Sequence, residues 1–144
     1  MRKEVSAFFW LVMALATGAA WLGRAQPPPA AGDDPRFTGM TSTLESKDIG
    51  VSRRRFEAGA RSAWHSHDNG QLLLVEEGRA RLQKRGEAMK ELGQGESDYT
   101  RASVAHWHGA TPHEPLVQVA VGFGGETRWT EKVTDEEYQG KNSR

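Results

Sequence analysis

The chain of 144 residues contains no cysteine. That excludes disulfide bonds and removes thiolates from the possible metal ligands, leaving His, Asp, Glu and Gln. No charge of one sign dominates: 19 Lys and Arg balance 19 Asp and Glu. A nucleic-acid binder would show a basic excess, so that class is set aside. Long apolar runs are also missing, except near the start, where Ala7 to Leu22 is apolar or small. At about sixteen residues that stretch is short for a bilayer span. Arg2 and Lys3 precede it, and Gly23 and Ala25 offer the small residues of a cleavage site. Residues 1–25 therefore read as a secretory signal peptide, with an uncleaved membrane anchor as the alternative. No cysteine follows the run to carry a lipid, and no twin arginine precedes it. The protein is thus expected to be exported unfolded, to a periplasm or beyond, with no membrane contact after cleavage. Loss of the signal leaves 16 basic and 18 acidic residues.

What remains is enough chain for one domain. Residues 26–36, which include Pro27-Pro28-Pro29, form an extended linker. The folded domain is expected over 37–138, with 139–144 as a disordered tail. Short strands separated by glycine-rich turns predict an all-β sandwich or barrel. The strands fall at about 37–43, 49–57, 62–67, 71–76, 79–84, 87–92, 97–100, 104–108, 116–123 and 127–133. Thr134 to Tyr138 fits one helical turn, with Thr134 as cap and Glu137 three residues on. Leu72-Leu73-Leu74-Val75 is apolar on both faces, so both must be covered. One cover is the domain interior, and the other is a further layer or a second subunit, which predicts a homodimer or larger homo-oligomer.

The histidines are patterned. His65 and His67 lie one residue apart, with Gln71 four further on, and His106 and His108 repeat the spacing. Side chains alternate along a strand, so each pair shares a face. Two same-face imidazole pairs near an amide suit a metal site. Trp64 and Trp107 fall on the opposite face and read as packing residues, and His113, between two prolines, reads as a solvated loop residue.

Residues 59–78 resemble the first motif of the cupins: Gly59, His65, His67, Gln71 at a position usually Glu, and Gly78. Residues 95–110 resemble the second through Gly95 and His106, although Arg101-Ala102-Ser103 replaces the usual Pro and Gly of the turn. A turn of different shape is expected there. Gly59-Ala60-Arg61, Ala63-Trp64-His65, His106 to Ala110 with Pro112, and Val133 to Tyr138 are similar to small bacterial cupins of the (R)-mandelonitrile-lyase-like type.

The resemblance implies a jelly-roll β-barrel with metal ligands His65, His67, Gln71 and His106. Such a neutral set suits one divalent transition metal per chain, Mn or Fe first, with Zn, Ni or Co as competitors. The ion would polarise an oxygen of a small organic substrate, with His108 as catalytic acid and base. Arg54 is placed on the inward face of its strand, where a buried arginine would bind a substrate carboxylate or phosphate. The lyase relatives carry a further histidine at the position of Gln118, a substrate-binding position. Gln cannot transfer protons, which weighs against cyanohydrin cleavage. A metal-dependent lyase is the leading expectation. An iron dioxygenase and a non-catalytic binding module are the alternatives.

Overall fold

A computed structural model of the protein describes residues 36–141. The expected signal peptide and most of the linker lie outside the described residues. Two compact units are distinguished, Met1–Leu44 and Glu45–Arg144. In the first, the strand expected at 37–43 is not formed, and only Thr41 makes a bridge. Gly39 sits there at φ 89°, a left-handed conformation that interrupts an extended chain.

The second unit carries every named element. These are β1 (Gly50–Phe56), β2 (Ala63–His67), β3 (Gln71–Gly78), β4 (Ala80–Lys84), β5 (Lys90–Leu92), β6 (Ser97–Thr100), β7 (His106–Ala110), β8 (Leu116–Gly122), β9 (Thr127–Lys132) and α1 (Asp135–Tyr138). The strands form two antiparallel sheets, one in the order β1-β8-β3-β6 and one in the order β5-β4-β7-β2-β9. Among the described residues no ladder closes them into one hydrogen-bonded barrel.

Alternation decides what each sheet buries. Val75, Ala80, Leu82, Leu92, Ala110 and Leu116 form one apolar cluster, with Phe56 packed on it. Leu82 and His108 are register partners, so this cluster and the histidines share the inner face of the five-stranded sheet. Trp64 and Trp107, on the face opposite the histidines, build a second cluster with Val133 and Tyr138. Helix α1 seals that face. Its Thr134 cap and Glu137 form a reciprocal capping box, as the sequence predicts. Tyr138 reaches the Ala110 carbonyl at 2.6 Å, and Trp64 Nε1 donates to Glu137. Gln139, Gly140 and Lys141, assigned above to the tail, bond back to the carbonyls of α1.

The two sheets are also joined by charge. Asp98 of β6 pairs with Lys84 of β4 at 3.0 Å and with Lys90 of β5. Burial pushes the Asp98 carboxyl up, but the hydrogen bonds from Lys90 and Lys84 outweigh it and hold the group below its usual range.

Candidate metal centre

The two histidine motifs meet because their backbones dock. The Ser62 amide donates to the His108 carbonyl and the Ala110 amide to the Ala60 carbonyl, both at 2.9 Å. Gly109 permits this approach: a Cβ there would lie 2.3 Å from the Ala60 oxygen. His65 then pairs with His106 across β2 and β7. The altered turn before His106 is rebuilt by Ser103, whose φ of 61° takes the left-handed conformation that glycine would favour. The Ser103 amide donates to the His67 carbonyl, tying this turn to β2.

Four imidazoles converge. The His65 ring lies 4.3 Å from that of His106, 5.1 Å from His67 and 5.2 Å from His108, centre to centre. His65, His106 and His108 are buried, and each offers a ring nitrogen within 4.8 Å of the others. His67 stands beside them at the wall of a cavity of about 410 Å³, shared with Ser52, Gln71, Ala120 and Thr127.

Proton placement separates the four rings. His65 Nδ1 lies 2.9 Å from the Ala63 carbonyl, and His106 Nδ1 lies 3.1 Å from that of Val104. A carbonyl only accepts, so both rings carry their proton on Nδ1 and a lone pair on Nε2. His67 Nδ1 meets the Thr127 hydroxyl at 3.0 Å, while its Nε2 is buried without a hydrogen-bond partner. His108 differs: its Nδ1 faces the Gln118 amide nitrogen at 3.1 Å. That nitrogen only donates, so the His108 proton is on Nε2.

Gln71 completes the arrangement. Its Oε1 stands 3.0 Å from His106 Nε2. Both atoms carry lone pairs, and neither brings a proton to the contact. Burial and the neighbouring His65 push His106 down to about 4, so a second proton is not taken up near neutral pH. Two facing acceptors beside an orphaned His67 nitrogen are what a cation would satisfy, so this donor set fits a metal ion. The other three imidazoles are also held below their ordinary range, chiefly by burial. All four therefore stay neutral at pH 7, the form a metal requires.

Residues singled out in the sequence divide as follows. His65, His67, Gln71, His106, His108 and Gln118 are brought together. Arg54 stands opposite Gln118 in register and so shares its side of the sheet, but it is exposed, not buried as expected. β1 is the edge of its sheet, which leaves Arg54 open to solvent. His113 is exposed, as expected. Three partners were missed: Thr127 on His67, Trp129 tilted against His65 with ring centres 4.5 Å apart, and Phe56 edge-on to His108 at 5.9 Å. Alternation within 127–133 places Thr127 and Trp129 on one face, but only the register with β2 shows which face.

These features define an all-β protein with a buried histidine cluster suited to one metal ion. A family model described as a cupin domain matches residues 52–122. A crystal structure of a cupin-like protein from Thermotoga maritima superposes with a TM-score of 0.63 at 32% identity, covering 82% of this chain and 97% of that one. The chain belongs to the cupin superfamily. It is also similar to an (R)-mandelonitrile lyase from Granulicella tundricola, with 39% identity over 87 residues, 58% of this chain and 66% of the lyase. The alignment thus spans just under two thirds of the lyase. The DMSP lyase DddQ from Ruegeria pomeroyi shares the fold alone, with a TM-score of 0.55 at 17% identity over 62% of this chain and 47% of that one.

Proposed function

We propose that the protein is an exported, metal-dependent cupin with lyase-type activity on a small oxygenated organic molecule. His65, His67, Gln71 and His106 would hold one divalent transition ion. The observation that carries this choice is the Gln71 oxygen facing the His106 Nε2 lone pair beside the buried, unpartnered Nε2 of His67, whereas His108 is engaged by Gln118. The neutral set suits Mn(II) or Fe(II), with Zn(II), Ni(II) or Co(II) as competitors. When bound, the ion supplies Lewis acidity at a substrate oxygen.

His108 moves the proton. It is buried against His65 and Phe56 and remains neutral, because burial and then the neighbouring imidazoles push it well below its ordinary range. In cyanohydrin cleavage the hydroxyl gives up its proton and the carbonyl forms. The C–C bond electrons leave with cyanide, which takes a proton back. Gln118 cannot carry that proton, so His108 would give its Nε2 proton to the departing cyanide and recover one from the hydroxyl, which leaves the ring as it began. Arg54 at the exposed edge would attract an anionic group on the substrate. Similarity to a mandelonitrile lyase supports this reaction class.

The two sheets are read as the halves of a jelly-roll barrel, and the assembly as a homodimer. Val51, Val121, Leu72 and Tyr99 form a cross-strand row over the outer face of the four-stranded sheet. Val51 and Tyr99 are exposed, as is Leu74 of the neighbouring row. No described element covers this face, and a second copy would.

The test is turnover of mandelonitrile, followed as benzaldehyde release by metal-loaded protein. His108→Ala is expected to keep its metal and lose at least 100-fold in rate. Equal turnover by the variant would remove His108 from the mechanism.

A further inference from the structure

Gln118 is 3% exposed and uses one of its two amide atoms. Its nitrogen meets His108 Nδ1 at 3.1 Å, and its oxygen is buried with no hydrogen-bond partner. An unsatisfied buried oxygen is costly, so it marks a place where a donor belongs. The amide has two orientations, and each dictates one tautomer of His108. With the nitrogen toward Nδ1, the ring proton sits on Nε2 and the free amide atom is an acceptor. With the oxygen toward Nδ1, the proton moves to Nδ1, Nε2 carries a lone pair, and the free amide atom is a donor.

We propose that Gln118 is a positioning residue that couples the hydrogen-bonding character of the bound ligand to the tautomer of His108. A ligand hydroxyl donating to the free amide oxygen holds His108 as an Nε2–H donor. A ligand carbonyl, carboxylate or nitrile accepting from the free amide nitrogen reverses the amide and turns the Nε2 lone pair inward. His108 lies with His65 and His106 in one group, a ring nitrogen of each within 4.8 Å of the others, so a change in its tautomer alters the polarity beside them. The ring is thereby set as a donor or as an acceptor with no net gain or loss of a proton. Arg54 stands opposite Gln118 in register, so an anionic ligand group reaching that edge would lie on the amide's side of the sheet.

The chemical consequence rests on His108 being the proton carrier proposed above, but the coupling does not. The experiment is therefore spectroscopic: nitrogen-15 imidazole correlation spectra of the full chain, without turnover. Wild type free of ligand is expected to show His108 with its proton on Nε2. Gln118→Glu offers only acceptors and is expected to move that proton to Nδ1. The same His108 tautomer in both proteins would overturn the proposal. Where Glu is not tolerated at this buried position, Gln118→Leu serves: it should leave His108 as a mixture of tautomers, and a single unchanged tautomer contradicts the coupling. 2-Propanol and acetone, one skeleton bearing hydroxyl or carbonyl and no carboxylate, then probe the ligand arm in zinc-loaded protein. Wild-type His108 should differ between them and the Leu variant should not. A wild-type ring unresponsive to 100 mM of either, on the order of a hundred times a weak millimolar dissociation constant, would overturn the ligand arm. Loss of lyase turnover with the tautomer shift intact would instead remove only the functional reading.

Discussion

His65, His67, His106 and His108 are chemically alike, and their neighbours make them different. Backbone carbonyls fix the protons of His65 and His106, the Thr127 hydroxyl anchors His67, and Gln118 gives His108 the opposite tautomer. Because these rings titrate below their ordinary range, they stay neutral where the unfolded chain takes up protons. The unfolded state then binds more protons, so stability falls as pH falls. For metal-free protein the loss should begin near 6.5 and continue to about 4, the value reached by His106. His106 alone should account for about 3 kcal/mol. Thermal melting across that window checks it, and a flat profile would show that the rings are not held neutral. The same-face pairs were legible in the sequence because strand alternation is local. Thr127, Trp129 and Phe56 were not, because each reaches its histidine from a strand distant in sequence.

The elements were mostly legible, and their departures have local causes. β5 starts at Lys90 instead of 87 because the Glu87 amide turns back to the Lys84 carbonyl. β7 starts at His106 because Ser103, at φ 61°, holds the preceding residues in a turn. The capped helix α1 could be read directly, since a capping box is a four-residue pattern. The docking of Gly109 on Ala60 could not, because nothing in either motif states that they touch. Gly109→Ala is expected to destabilise the protein by about 2 kcal/mol, as an added methyl forces the Ala60 backbone away. It should also disturb His108 next door, read as a shift of its imidazole signals. Asp98→Asn leaves the half-buried Lys84 without its buried carboxylate, and chemical denaturation should show a loss of about 3 kcal/mol. A loss below a few tenths would mean the pair does not join the sheets energetically.

At the scale of the molecule, the described residues cover the outer face of one sheet and leave that of the other exposed. Helix α1 and the two tryptophans finish the five-stranded sheet. Among the described residues the four-stranded sheet leaves Val51, Leu74 and Tyr99 exposed, where the two-sided Leu72–Val75 run led to the expectation of a covering layer or second subunit. Leu74→Glu is expected to convert a dimer into a monomer in sedimentation equilibrium, with the metal content unchanged. A wild-type monomer at all concentrations would contradict the proposed assembly. The central claim is narrower and concerns which histidines hold the ion. Geometry alone groups His65, His106 and His108, while the Gln71 oxygen at His106 and the unpartnered Nε2 of His67 favour His65, His67 and His106 with Gln71. Metal stoichiometry of His67→Ala against His108→Ala separates the two most directly. The account predicts about one ion per chain in wild type and in His108→Ala, and loss of the ion in His67→Ala. Retention in His67→Ala with loss in His108→Ala would contradict it.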